Sequence, residues 1–505
     1  MYRIHGFKAR LVAVLRQPKL TPAFMYIGID LGTSSVKTLL VNEQQRIVGS
    51  ALYELSVERL HPSWSEQDPN SWILGIEATF AELQQHHSAE WASVKSIGLS
   101  GHQHGATLID AADNPLRACI LWNDTRSHEQ AAKLDTALSR DITGNILFPG
   151  FTAPKLAWVA ENEPSIFEKV SKVLLPKDYA RLWLCGDYVG DQSDSAGTGW
   201  LDVAKREWSS ELLAATGLTQ EHMPSLVEGS ERSGTLRSEL AARFGLSTSV
   251  VIAGGAGDNA ASACGMGNVA PGDAFVSLGT SGVLFASNES YRPNAASAVH
   301  TFCHAVPNTW HQMGVILSAA DSLTWLSQLT GKPASDMTNE LDPKTASAVR
   351  ELFLPYLGGE RTPHNDASVR GSLLGLSHIT DASQLCRAVL QGVSFAFKDS
   401  QNAMASSGTH LTRAYAIGGG SRSEYWVQLL ANVLKIPLHL TDAGDVGAGF
   451  GAARLARLAA TGESVADVCT PPKVSRTIEP DTAQTDGFDE QHERYCKAYE
   501  STRNY

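Results

Sequence analysis

Ile29-Asp30-Leu31-Gly32-Thr33-Ser34-Ser35-Val36 and Val276-Ser277-Leu278-Gly279-Thr280-Ser281-Gly282-Val283 spell one short hairpin twice, once near the start of the chain and once past its middle. Each copy runs from an apolar strand through a Gly-Thr-Ser turn into a second apolar strand. Glycine lets the turn bring its amide N–H groups close to a ligand, and the Thr and Ser hydroxyls add donors, so each turn suits phosphate oxygens. Only the first copy carries an acid, Asp30, at the end of its incoming strand. A single Gly-Thr-Ser turn is also what an ordinary β-hairpin uses. The repetition of the polar residues together with the apolar ones is what points to a pair of phosphate clamps. A weaker echo follows each hairpin: Ile97-Gly98-Leu99-Ser100-Gly101 after the first and Ile417-Gly418-Gly419-Gly420-Ser421 after the second. The chain therefore reads as a duplication whose halves grip one polyphosphate from opposite sides.

At 505 residues, 43% hydrophobic and 19% charged, the composition is that of a multi-domain globular enzyme. A net charge of −12 argues against nucleic acid or an anionic membrane surface as a partner. No apolar run reaches the ~18 residues of a membrane span. Seven scattered cysteines without CxxC spacing fit reduced thiols and a cytoplasmic setting. Residues 1–24 stand apart: they carry Arg3, Lys8, Arg10, Arg16 and Lys19 and no acid, and Pro18 and Pro22 interrupt them before Met25. They read as a disordered basic arm or an upstream start, with an organelle transit segment as the lesser alternative.

From Met25 to about Leu55 the pattern is strand, turn, strand, strand. A helix is expected over 72–83, strands over 94–99 and 106–109, helices near 129–138, 154–161 and 178–184, and a buried strand over 250–253. A second triple-strand pattern starts at Ala274, after Pro271-Gly272-Asp273, with helices near 318–329, 382–406 and 423–433 and a strand over 413–417. This alternation predicts α/β layers with mixed sheets. The expected organisation is an N-terminal domain over 25–270, a C-terminal domain over 271–470, and a polar, Pro-rich tail over 471–505 ending in a short helix. The two duplicated halves face a central cleft.

Phosphoryl transfer asks a protein for positioning, charge neutralisation around Mg²⁺, and a base for the attacking hydroxyl. Two acids with separate tasks are needed. Asp30, beside the first phosphate turn, suits a Mg²⁺-bound water, because Mg²⁺ keeps several waters and uses few carboxylates. Asp258 ends Gly254-Gly255-Ala256-Gly257, where low bulk lets a substrate approach, so it suits the general base; before Asn259-Ala260-Ala261 it is equally placed to cap a helix. It can do both only if one carboxylate oxygen stays free. Gly418-Gly419-Gly420, followed by a helix from Ser423, would let an adenine lie against bare backbone. His102-Gln103-His104, and His300 with Cys303 and His304, fall short of a zinc ligand pattern.

Phe151-Thr152-Ala153-Pro154-Lys155-Leu156-Ala157-Trp158 and Gly371-Ser372-Leu373-Leu374-Gly375-Leu376, running on to Gln391, resemble the two signatures of the FGGY carbohydrate kinases. The resemblance covers Met25 to about residue 460. It implies two actin/hexokinase-like (ribonuclease H-like) domains, with ATP and a small sugar as substrates and Mg²⁺ as cofactor. It makes Asp258 the base and Asp30 the metal-side acid. It puts Gln103, His104 and Asn259 on the sugar, and Trp122, Asn123 and Asp124 at the border of its pocket. Thr33, Ser34, Gly279, Thr280, Ser281, Gly418, Gly419, Gly420 and Ser423 fall to the nucleotide. The stretches WSEQDP, ILWNDTRS and LPYLGGERTPH are most similar to members that phosphorylate D-xylulose, which usually carry Met where this chain has Gln103. Another ketose or a polyol such as glycerol is the alternative substrate, and a nucleotide-gated binding module is the non-enzymatic one. A homodimer is left open.

Overall fold

The structure is a computed structural model that describes residues 24–441 and 447–505. The basic arm lies, but for Phe24, outside the described residues. The first hairpin is built from β1 (Met25–Leu31) and β2 (Ser35–Asn42), followed by β3 (Ile47–Glu54). All but one residue of β1 is buried, the mark of a strand covered on both faces, whereas β3 turns several side chains to solvent at the sheet edge. β4 (Val94–Gly101) runs parallel to β1. β5 (Arg232–Thr235), β6 (Val251–Ala253) and the short β7 (Ala256–Gly257) complete a seven-stranded sheet in the order β5-β6-β4-β1-β2-β3, with β7 also on β4.

The second half repeats this plan. β8 (Ala274–Leu278) and β9 (Gly282–Asn288) form the second hairpin, with β10 (His300–Cys303), β11 (Trp310–Ile316), β12 (Ala414–Ile417), β13 (Leu438–Thr441) and β14 (Val474–Ile478) around them. Their order is β10-β11-β9-β8-β12-β13-β14. Strand for strand, β3-β2-β1-β4-β6-β5 corresponds to β11-β9-β8-β12-β13-β14, with the same succession of antiparallel and parallel pairings. The three-residue loops of both hairpins, 32–34 and 279–281, thus sit at equivalent corners of two related sheets.

Helices cover the faces, among them α1 (Pro69–His86), α2 (Thr152–Asn162), α3 (Pro176–Cys185), α4 (Gln192–Ser195), α5 (Asp258–Met266) and α6 (Ala320–Thr330). α7 (Ala382–Ser406), α8 (Glu424–Leu434), α9 (Ala448–Thr461) and α10 (Thr485–Thr502) follow. Each sheet has its own apolar core, centred on Ile27, Ile97 and Trp72 in the first and on Val276, Phe395 and Trp426 in the second.

Three features depart from the sequence reading. The helix expected over 129–138 is two helices, His128–Leu134 and Ala137–Thr143, the second started by a Thr136–Ser139 capping box. The polar segment after residue 470 supplies the edge strand β14. Its last helix is 18 residues long rather than short, and it buries Phe488 and Tyr495 in the second core. Finally, α9, late in the chain, packs on the first sheet: a Cβ on Gly28 of β1 would overlap the Gly449 carbonyl, and one on Gly451 would overlap the Ala261 carbonyl of α5. The division of the sequence and the division of the packing differ there.

Candidate active site

Asp30 and Asp258 approach each other because of strand order. Asp30 sits on β1 opposite Ser100 of β4, and Gly257, just before Asp258, pairs with Gly101 on the other side of β4. The two acids are therefore carried two strands apart, about 10 Å at the backbone, at the same end of the sheet. Asp258 is the first residue of α5, after Gly257 as cap, so the capping role falls to its neighbour. Its Oδ1 accepts from the Asn259 backbone N–H at 2.7 Å and side-chain Nδ2 at 2.9 Å. Oδ2 has no hydrogen-bond partner among the described residues. Burial pushes the Asp258 carboxyl up to about 6. Burial, and then the charge of Asp258, raise Asp30 to about 6 as well. Two desolvated carboxylates whose charges repel are an arrangement that a divalent cation would relieve.

Asp258 lines a cavity of about 320 Å³ between the halves. From the first domain Gln103, His104, Trp122 and Asn259 line it, and from the second Ser281, His300, Phe302 and Arg361. His104 has φ +69°, a strained value for a non-glycine residue. Its backbone is held there by Lys155 of α2, whose Nζ donates to the carbonyls of His104 at 2.8 Å and Gly150 at 2.7 Å. The His104 ring stacks on Phe151 and gives its Nδ1–H to the Gly197 carbonyl at 2.6 Å, and burial keeps it neutral, its pKa lowered to about 3. Nε2 is then an acceptor. Gln103 Nε2 donates weakly to Ser193 O at 3.4 Å, leaving Oε1 without a partner among the described residues.

Behind these residues lies a buried ionic cluster. Lys177 of α3 bonds Asp178 and Asp191, both at 2.6 Å, and Asp194 at 3.3 Å, while Arg181 bonds Asp178 at 2.7 Å and the Val189 and Gly254 carbonyls. Asp191 caps α4, whose Ser193 hydroxyl accepts from the Gly257 N–H at 3.2 Å. The cluster therefore fixes the strand end that delivers Asp258.

The three residues expected at the sugar border, Trp122, Asn123 and Asp124, sit in different settings. Trp122, 49% exposed, lines the cavity and donates its Nε1–H to Thr33 Oγ1 at 3.1 Å, tying the first hairpin to the pocket. Asn123 buries an Oδ1 without a partner among the described residues. Asp124 is corrected: it is fully buried behind the wall, its oxygens taken by Arg126 and the Ser65 N–H, so it has nothing left to offer a ligand. His300, Phe302 and Arg361 were missed as pocket residues. Arg361 donates to His300 Nε2 at 3.3 Å and lies 4.3 Å over the Phe148 ring; burial lowers its pKa to about 10. No carboxylate closes an ion pair with it among the described residues. Its place in the expected family stretch LPYLGGERTPH was the available signal.

A second cavity, of about 420 Å³, lies on the second domain and is lined by Gly419, Gly420, Ser423, Trp426 and the start of α6. Gly418 (φ +88°) turns the chain beneath the hairpin, and no atom lies within 4 Å of where a Cβ on Gly419 would sit, which leaves bare backbone open to a flat ring. The second hairpin separates the two cavities: Ser281 lines the first, and the carbonyls of Gly279 and Thr280 accept from the leading N–H groups of α6. Ser34, Thr280 and Ser281 are exposed at the turns, with Thr33 and Gly279 half-buried beside them.

Two duplicated α/β domains, a carboxylate pair at one sheet end and glycine-rich turns between two cavities define a two-domain phosphotransferase of the actin and hexokinase type. The chain belongs to the FGGY family of carbohydrate kinases: the N-terminal domain of that family matches residues 25–265 and the C-terminal domain residues 274–460. It is 46% identical over 482 residues to the xylulose kinase of Escherichia coli K12, covering 94% of this chain and 99% of that one. Among solved structures it resembles a xyloylose kinase from Brucella ovis, with a TM-score of 0.93 and 57% identity over 94% of this chain and 99% of that one. A xylulose kinase from Rhodospirillum rubrum gives a TM-score of 0.87 at 27% identity, covering 94% and 98%.

Proposed function

We propose that the protein transfers the γ-phosphoryl group of ATP to O5 of D-xylulose, giving ADP and D-xylulose 5-phosphate. The observation that carries this reading is Asp258, whose carboxylate lines a cavity with Oδ2 unpartnered among the described residues and whose neighbouring polar groups suit hydroxyls. As O5 attacks the γ-phosphorus in line, Oδ2 takes the O5 proton and the bond to the bridging oxygen of ADP breaks. Asn259 fixes the orientation of that carboxylate through Oδ1. His104 Nε2 accepts from one sugar hydroxyl, Gln103 Oε1 from another, and Arg361 donates to the ketose oxygens from the opposite domain. The adenine lies against Gly419, and the Gly-Thr-Ser turns at 32–34 and 279–281 receive the phosphates. Asp30 would hold Mg²⁺ through water, and the ion when bound neutralises charge on the phosphate oxygens. Closure of the halves excludes water that would otherwise take the phosphoryl group.

The relatives named as xylulose kinases support the choice of sugar, as does the density of donors and acceptors, which a small triol would leave unmatched. A panel of ketoses, polyols and aldonates with coupled ADP detection tests it. D-Xylulose is expected to give the highest kcat/KM, other ketopentoses less and glycerol little; glycerol or an aldonate in first place overturns the substrate assignment.

A further inference from the structure

Where α7 meets α10 in the second domain, three ligand atoms of different chemistry converge. Asp399 lies buried in the middle of the long helix α7. His492 and Cys496 are one turn apart on α10, on the face that meets α7. The His492 Nε2 is 2.7 Å from Asp399 Oδ1, and the Cys496 sulfur is 3.9 Å from that oxygen and 3.8 Å from that nitrogen. The geometry points to a transition-metal site of the zinc type that ties the C-terminal helix to the nucleotide domain.

An ion pair between Asp399 and His492 needs no thiol beside it, yet the sulfur closes a triangle with both partners. Around a tetrahedral Zn²⁺ with ordinary bond lengths, the S···N and S···O edges are about 3.5 Å and the N···O edge about 3.3 Å. The two sulfur edges are within a few tenths of an ångström of that already. Loading requires the N···O edge to open by about 0.6 Å, which means replacing one hydrogen bond with two metal bonds. The imidazole is held in place for this by Phe395, 5.4 Å away and one turn before Asp399, and by Tyr495, stacked 6.1 Å away. His492 and Cys496 are partly open to solvent, so an ion has an entry path and water can fill the fourth position. Binding releases the thiol proton of Cys496 and the proton shared by His492 and Asp399 to solvent, leaving S⁻, a neutral ring nitrogen and a carboxylate as ligands. No oxidant or reductant is involved. The site cross-links residues 399 and 492–496 and so acts on stability rather than on phosphoryl transfer.

The test uses the full chain, kept reduced and freed of metal, titrated with Co²⁺ and separately with Zn²⁺. One equivalent of Co²⁺ is expected to produce thiolate-to-cobalt charge transfer and tetrahedral ligand-field absorption, and Zn²⁺ to abolish both and raise the melting midpoint. Cys496→Ala and His492→Gln should each lose the absorption and the Zn²⁺-dependent rise, with xylulose-kinase turnover in Mg²⁺ unchanged. The glutamine keeps a donor for Asp399, so loss in that variant reports on metal ligation and not on the hydrogen bond. Absence of charge transfer in the unaltered chain, or its survival in Cys496→Ala, overturns the assignment.

Discussion

Asp258 shows how one residue's surroundings set both its chemistry and its cost. A carboxyl held near 6 instead of 3.8 is a base that stays mostly ionised at neutral pH while keeping affinity for a proton in transit. Asp258→Asn is expected to lower kcat by about 10²- to 10⁴-fold with nucleotide binding retained, and kcat/KM of the unaltered enzyme should fall on the acid side of about pH 6. Because the folded-state pKa is raised, the ionised form is penalised above pH 6 and the penalty disappears as the pH drops toward the unfolded value. The asparagine variant should accordingly be more stable by up to about 3 kcal/mol at pH 8, the gain shrinking to about 0.5 kcal/mol at pH 4, as read by urea denaturation. Lys155 works through another residue: its Nζ–H holds the carbonyl of His104 in a strained backbone conformation. Lys155→Met should raise the KM for the sugar by about tenfold, a displacement worth ~1.4 kcal/mol, while the KM for ATP stays put; equal effects on both would show a general loss of structure instead.

The two hairpins are elements of equal geometry with unequal surroundings. Thr33 Oγ1 already accepts from Trp122, whereas the Thr280 hydroxyl has no partner among the described residues. Thr33→Val and Thr280→Val are each expected to weaken ATP use by roughly 1 to 3 kcal/mol, with the KM for ATP as the measurement. An effect confined to one of them contradicts a two-sided grip. The α9 helix is the other decisive element, since its glycines let it lie against β1 and α5 at backbone contact. In Gly451→Ala the added methyl meets the Ala261 carbonyl, a backbone atom that cannot swing aside. A loss of about 1 to 3 kcal/mol or more in stability should follow, accompanied by reduced kcat because α5 begins with Asp258.

At the scale of the whole molecule, the cavity beside Asp258, proposed to hold the sugar, is lined from both domains. Arg361, from the second domain, faces Asp258 and Asn259 from the first, and its guanidinium is desolvated without a carboxylate to pair with. Arg361→Met should therefore raise the KM for the sugar by tenfold or more, on the order of the 1.5 to 3 kcal/mol of a hydrogen bond to a charged group, even though every other expected sugar contact lies on the other half. Unchanged sugar kinetics would place sugar recognition on the first domain alone. Among the described residues no helix is long and apolar enough to cross a membrane.

What the sequence by itself determined is local and periodic. The hairpins at Asp30 and Ser277, the glycine-flanked Asp258, the long helix from Ala382 and the triple glycine at 418–420 are contiguous stretches whose turn chemistry and apolar spacing leave few alternatives. The polar tail misled because β14 is an edge strand with four exposed residues, and an edge strand carries no apolar alternation to read. Tertiary structure alone decided the rest. The approach of Asp30 to Asp258 depends on both flanking β4, a pairing across more than half of the first domain. Asp124, expected at the pocket border, is taken up by its near neighbour Arg126 and by the N–H of Ser65 from across the fold. Arg181 with the Gly254 carbonyl, Arg361 with His300, and α9 on the first sheet all join residues far apart in the chain. Such contacts are chosen by how layers stack and which charges must be paired once water is excluded, and no window of sequence contains both partners.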